Sequence, residues 1–303
     1  MGDGMARRRK GDPVHGWLIV DKPVGIGSTN VVSKARWALR AQKAGHAGTL
    51  DPLASGALAV AFGEATKTVP YVMDGAKRYE FTVGWGRATA TDDTEGETVE
   101  QSDMRPSRDA ILDALPRFRG AIEQVPPVYS AIKIGGIRAY KTARAGKIPE
   151  LVARPLHVEA LDLLEATPDS ASFAFTCGKG GYVRSIARDL GEVLGCYGHV
   201  TALRRLSTGP FDVADAVSWD IFDAVRAGEA SVDLLPIETA LSHLPRVDVH
   251  ETEASRLRNG NPVEARGLSL AYGETCWGAL DGEPVAIGPY KAGMLHPSRV
   301  LVS

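Results

Sequence analysis

The sequence predicts an α+β fold: a mixed, mostly antiparallel sheet flanked by helices, with a small β domain at the C-terminus. Three observations carry this. Apolar runs at Trp17–Val20 and Ala57–Phe62, and the alternation of Lys77–Val83, read as strands with buried faces. Between such segments, apolar residues recur at helical spacing: Val31, Val32, Ala35 and Leu39, and later Ile186, Leu190, Val193 and Leu194. From about Leu241 the chain changes to short strands with glycine turns, at Asn259-Gly260-Asn261, Ala271-Tyr272-Gly273 and Asp281-Gly282-Glu283.

With 303 residues the chain can hold two domains and bury about three quarters of its unfolded surface. No apolar run is long enough to span a membrane, and the N-terminus lacks the apolar segment of a signal peptide. Three scattered cysteines (Cys177, Cys196, Cys276) argue against a disulfide framework or a zinc site and suit a reducing cytoplasm. The net charge of −2 hides an uneven distribution. Six bases stand against one acid between Lys133 and Arg154, and nine acids against two bases between Asp212 and Glu251. Either run alone also fits a solvated surface.

Residues 1–11 read as a flexible basic tail, in which Arg7-Arg8-Arg9-Lys10 either touches phosphates or stays solvated. The first strand runs into the turn-rich loop Asp21-Lys22-Pro23-Val24-Gly25-Ile26-Gly27-Ser28, and Ser28 or Thr29 is placed to cap the helix that follows. Asn30 stands where a dinucleotide loop needs its third glycine, and Gly63–Thr68 lacks the glycine and spacing of a phosphate loop. The stretch Lys43–Gly56 is unusual: three glycines surround His46, Thr49 and Asp51, and Pro52 biases Asp51 away from helix. The next residues are a buried strand, so Asp51 sits in a turn at the mouth of a core element; a turn aspartate capping its own backbone is the plainer reading.

On Lys77–Val83, Tyr79, Phe81 and Val83 share the buried face. Asp92–Asp103 carries six acids and no base. Pro106-Ser107 opens a helix through Leu115, with Ile111, Leu112 and Leu115 inward. Ser130-Ala131-Ile132-Lys133 fits the Ser-x-x-Lys pattern of penicillin-binding enzymes, but no Lys-Thr-Gly accompanies it and the match is chance. Leu156–Leu164 and Ser172–Cys177 read as strands; glycines 178, 180 and 181 end the second. Tyr182 and Arg184 then fall at the first turn of a helix. A cation at a helix N-terminus opposes the dipole, so Arg184 needs an anionic partner. His199–Leu206 is a further strand.

Several of these segments, in order, resemble the TruB-type pseudouridine synthases. They are DKPVGIGS at Asp21–Ser28, GHAGTLDPLASG at Gly45–Gly56 with GEATK at Gly63–Lys67, and Lys77 through Gly86, Thr89, Thr91, Asp93 and Gly96. Also matched are Pro126–Lys133, the KGxYxRxxxxDLG pattern at Lys179–Gly191 and HVxxLRRL at His199–Leu206. The resemblance spans most of residues 14–210. It implies the pseudouridine synthase fold and isomerisation of the uridine at position 55 in the T-loop of tRNA. Asp51 is then the nucleophile, Arg184 its partner, and Tyr79 the residue that packs on the flipped-out base. His46, Tyr182, Leu203, Lys22 and Lys133 become substrate-binding residues, with His46 filling the vacated space and Tyr182 touching the base or relaying a proton.

By the same resemblance residues 12–240 form the catalytic domain, 127–154 a mobile segment gripping the T-arm, and 241–303 a small PUA-like β domain. The acid-rich stretch from Asp92 should lie away from RNA. The reaction exchanges one bond for another within the substrate, so the expectation is no cofactor and no metal. It needs an ionised carboxylate in a pocket that excludes water, where burial alone favours the neutral acid and a paired guanidinium opposes that. Attack on the sugar carbon, attack on C6 of the base and a glycal-type route all remain open. The expected partner is the tRNA T-arm stem-loop, with no membrane, no obligatory protein partner, a monomeric state and a cytoplasmic location. A module that binds or folds RNA without turnover is the contrasting reading; a carboxylate in the pocket argues against it.

Overall fold

The computed structural model describes residues 11–130, 132–144, 147 and 150–302, with the backbone alone at 133–134, 137–138, 140–141 and 144. The basic tail before Gly11 and the side chain of Lys133 therefore lie outside the described parts.

Strand β1 (Gly16–Lys22) leads to helix α1 (Ser28–Ala38), β2 (Ala44–His46), β3 (Ala54–Phe62), α2 (Val69–Asp74) and β4 (Lys77–Trp85). The hairpin strands β5 (Arg87–Thr89) and β6 (Thr98–Gln101), helix α3 (Arg108–Ala114) and β7 (Gly120–Gln124) follow. The short pair β8 (Lys133–Ile134) and β9 (Ile137–Arg138) precedes α4 (Ala139–Arg144), β10 (Arg154–Ala166) and β11 (Ser170–Cys177). Helix α5 (Val183–Val193), β12 (Gly198–Thr208), β13 (Phe211–Asp212), β14 (Val217–Ser218) and α6 (Ile221–Ala227) complete this part.

Ten strands make one sheet in the order β14-β1-β3-β12-β4-β11-β10-β7, with β2 on β3 and β13 on β12. Two pairings are parallel, β1 with β14 and β3 with β12; the rest are antiparallel, which is the mixed sheet the sequence predicts. The parallel β3–β12 contact positions the site. It sets Ala54 against Leu203 and Gly56 against Arg205, while β4 on the other side of β12 sets Tyr79 against Arg205. The loop that carries Asp51 thus enters the sheet one strand from Tyr79.

Tyr79, Phe81 and Val83 are buried while Arg78 and Glu80 between them are exposed, as alternation requires. Phe81 stacks on Phe173 with ring centroids 5.3 Å apart, and Ile186 and Leu190 of α5 join the same core. Two inward assignments are corrected. Leu112 and Val193 are exposed, and Ala114 takes the inward place on α3, because neither short helix has a core beside those positions. A third correction concerns Ser28. The cap position belongs to Gly27, and the Ser28 hydroxyl turns inward instead.

The C-terminal part is a six-stranded sheet ordered β15-β17-β18-β19-β16, with β20 on β18. Its strands are β15 (Arg246–Asp248), β16 (Val263–Glu264), β17 (Thr275–Leu280), β18 (Glu283–Lys291), β19 (Met294–Leu295) and β20 (Arg299–Val300). Helix α7 (Glu251–Arg258) packs on it through Ala254 and Leu257. Asn259-Gly260, which resembles a hairpin turn in sequence, is the end of this helix. Leu241, Trp277, Ile287 and Leu301 pack with Tyr71 of α2, which joins the two parts. Lys67 donates to Val300 O at 2.8 Å, and Glu64 accepts from Val302 N at 2.9 Å, tying the last strand to the larger sheet. No described helix is long and apolar enough to cross a membrane.

Candidate active site

The loop before β3 is fixed from below. The Ser28 hydroxyl donates to Leu50 O and accepts from Leu50 N, both at 2.8 Å, satisfying the two backbone groups of a buried residue. Gly25 N donates to Pro52 O at 2.7 Å. The Lys22 ammonium donates to Pro23 O at 2.9 Å, Ile26 O at 2.6 Å and Pro52 O at 3.4 Å. Lys22 is fully enclosed, and burial pushes its ammonium down to about 8, with Asp51 opposing the shift. The expected substrate contact by Lys22 is therefore replaced by an internal one: it sews the two loops together beneath Asp51.

Above these anchors Asp51 faces a cavity of about 230 Å³. Arg184, near the start of α5, places Nη2 at 2.9 Å from Asp51 Oδ2. The guanidinium is 6% exposed and the Asp51 side chain 36%, so the arginine is the buried member and the carboxylate is the presented one. Arg184 also donates to Thr91 O at 2.8 Å and Tyr129 O at 2.9 Å. Its second carboxylate is Asp93, 3% exposed, with Oδ2 at 3.6 Å from Nη1. Asp93 is itself held by the Thr91 hydroxyl and by Glu95 N. One guanidinium thus spans two carboxylates, one locked in the protein and one open to the cavity. Fixed by four partners, it aims the Asp51 carboxylate without consuming all of its acceptor capacity.

Tyr79, Tyr182, Leu203, Leu50 and Met73 form apolar and aromatic walls around this polar floor. The backbone of Tyr182 is pinned by Gln124, which accepts from Tyr182 N at 2.9 Å and donates to Tyr182 O at 3.1 Å. Burial raises the phenols of both Tyr79 and Tyr182, with Arg205 opposing the shift at Tyr79. Both rings can therefore stack, and donate a hydrogen bond, as neutral phenols at neutral pH. Of the residues singled out in the sequence, Asp51, Arg184, Tyr79, Tyr182 and Leu203 converge here. His46 lies on β2 opposite Val60, outside the cavity wall.

The acid-rich stretch does not lie wholly away from the site. Its first two acids turn inward, Asp93 onto Arg184 and Asp92 onto Arg188, at 3.3 Å. Arg188 also holds Asp189 at 2.8 Å and donates to Val125 O. Asp92 is pushed up to about 6 by burial, which outweighs Arg188 and Arg184, while Asp189 and Asp93 add to the rise. Between the unfolded value near 3.8 and the folded value near 6, the folded state holds the extra proton, so stability rises as pH falls through this window. Denaturant unfolding should show the wild type gaining about 1–3 kcal/mol relative to Asp92→Asn between pH 7 and pH 4.5. Equal slopes in the two proteins would remove Asp92 as the cause.

The sequence model for the N-terminal domain of TruB family pseudouridylate synthases matches residues 36–183. That for the tRNA pseudouridylate synthase B C-terminal domain matches residues 184–242. The protein called tRNA pseudouridine synthase B of Dinoroseobacter shibae is 54% identical over 98% of each chain. That of Paracoccus denitrificans is 55% identical over 97% of this chain and 98% of its own. Among solved structures, a chain of a Cbf5–Nop10–Gar1 complex superposes with a TM-score of 0.75 at 25% identity, covering 95% of this chain and 85% of its own. A chain of an H/ACA ribonucleoprotein bound to a substrate RNA containing 2′-deoxyuridine gives 0.74 at 22% identity, over 98% and 92%. The latter likeness speaks for the fold.

Proposed function

The chain belongs to the TruB family of pseudouridylate synthases and isomerises uridine to pseudouridine in tRNA, and we propose that its target is position 55 of the T-loop, flipped out of its stack into the Asp51 cavity. The observation that carries this reading is the Arg184–Asp51 pair at 2.9 Å, set at the floor of an aromatic cavity. A polyanion gains nothing from a carboxylate held there, so the carboxylate is there for chemistry.

Asp51 is the nucleophile. The bond between ribose C1′ and base N1 breaks, the base turns over, and C1′ bonds to C5. The C5 proton departs and N1 gains one, so atoms and electrons balance within the substrate, and no cofactor is required. Tyr79 packs on the flipped base, Leu203 and Tyr182 bound it, and the cavity walls keep water from the reactive sugar. Flipping costs a few kcal/mol, which contacts outside the cavity must return. The basic residues between Lys133 and Arg154, and His46 beside the loop, are assigned to that outer grip. Residues 12–240 act as the catalytic domain and 241–303 as a PUA-like domain on the tRNA side. The enzyme works in the cytoplasm as a monomer.

The test uses the purified chain alone on an unmodified tRNA transcript, with pseudouridine mapped by carbodiimide adducts that stop reverse transcription. A single new stop at position 55 is the expected result. The structural relatives solved with Nop10 and Gar1 suggest the rival reading, in which partners guide the enzyme. No stop without added components, or a stop elsewhere, would favour that rival.

A further inference from the structure

Arg205 is 1% exposed, among the largest wholly enclosed side chains of the protein. Enclosing a guanidinium costs several kcal/mol unless partners offset it. Among the described residues no carboxylate pairs with it, and two further enclosed cations, Lys22 and Lys77, lie within electrostatic reach. Its hydrogen-bond partners are instead two carbonyls: Nε donates to Ala57 O at 2.8 Å and Nη2 donates to Gly48 O at 3.2 Å, while Tyr79, its cross-strand neighbour on β4, favours the charged form.

The two carbonyls are the telling feature. Gly48 precedes and Ala57 follows the segment 49–56, which carries Asp51. One side chain, from a strand about 150 residues later, therefore closes both ends of that segment. The backbone makes room for it. Gly48 has φ +95°, and a Cβ there would stand 3.3 Å from Arg205 Nη1. Gly56 has φ +100°, and a Cβ there would meet the Arg205 backbone O at 2.2 Å; the positive φ strains any side chain at either glycine, and at Gly56 strand β12 leaves no space for one. Strand β12 shifts register between Arg205 and Ser207, a bulge of the kind that re-aims a side chain beside a site.

We infer that Arg205 is a positioning residue for the isomerisation: it braces both ends of the Asp51 loop beside its cross-strand neighbour Tyr79. The inference rests on the functional reading above. Lysine at this position keeps the charge but can reach only one end of the loop at a time. Methionine keeps the volume and loses every bond.

The experiment compares wild type, Arg205→Lys, Arg205→Met and Asp51→Asn in single-turnover tritium release from a T-arm stem-loop labelled at uridine C5. Enzyme is saturating, RNA affinity is measured separately, and all proteins are assayed below their own unfolding midpoints. The brace predicts a rate more than tenfold lower in Arg205→Lys and about 100-fold lower in Arg205→Met, with RNA affinity within threefold of wild type. Rates within tenfold of wild type, with only the midpoint lowered, would make Arg205 a stability element and overturn the inference. So would a rate loss explained by weaker RNA binding, or two variants that never fold. Release by the wild type beside a silent Asp51→Asn secures the functional reading independently; no release by the wild type would bring down that reading, and the brace with it.

Discussion

Asp51→Asn should bind T-arm RNA as tightly as the wild type and isomerise nothing. Removing a nucleophile of this kind lowers the rate by about 10⁴-fold or more. The substitution preserves shape and one hydrogen-bond acceptor but not the charge that attacks the substrate. Stability should barely change, because Arg184 keeps Asp93, Thr91 O and Tyr129 O as partners. RNA affinity should stay within a few-fold, since a carboxylate contributes no attraction to a polyanion. Filter binding, denaturant unfolding and single-turnover release measure these three quantities separately. A rate within tenfold of wild type would move the chemistry to another group.

Arg184→Gln should lose on both counts. It breaks a pair in which Arg184 is 6% and Asp93 3% exposed, leaving Asp93 as a buried carboxylate without its cation. Breaking such a pair costs about 3–5 kcal/mol. The rate should fall about 10²- to 10³-fold as Asp51 loses its orienting partner, the magnitude of losing one preorganised electrostatic contact. The two effects have separate cures. Adding Asp93→Asn to Arg184→Gln removes the unpaired charge and should recover most of the stability, while the rate stays low. Recovery of both together would mean that Arg184 acts only as structural support for Asp93.

How much of this is legible before folding differs by residue. The alternation of Lys77–Val83 gives β4 and its buried face directly, because a strand exposes its period in a few residues. The Arg184–Asp51 pair is approachable from local physics, since a cation at a helix start calls for an anion. Its second anion is not. Asp93 sits in a run of six acids expected to lie away from RNA, and only the turn built on Thr89, Thr91 and Glu95 points it inward. Ser28 passes for a helix cap because caps are local, whereas its real partner, Leu50, is 22 residues away. Lys22 is a substrate contact by the family resemblance alone, and its three carbonyl partners come together only when two loops meet. Arg205 stands in a pair of arginines with nothing local to distinguish them: Arg204 pairs with Asp21 at 2.8 Å, half-exposed, while Arg205 turns into the protein. Strand pairing decides which of the two becomes the brace.

The most direct test of the central claim is tritium release by the purified wild-type chain from a T-arm stem-loop labelled at C5 of the target uridine, with no other component present. One equivalent released per RNA, with pseudouridine recovered in the same yield, is the result this account predicts. Tight binding of the same RNA with its tritium retained would contradict it, and would make the cavity at Asp51 a binding site rather than a catalytic one.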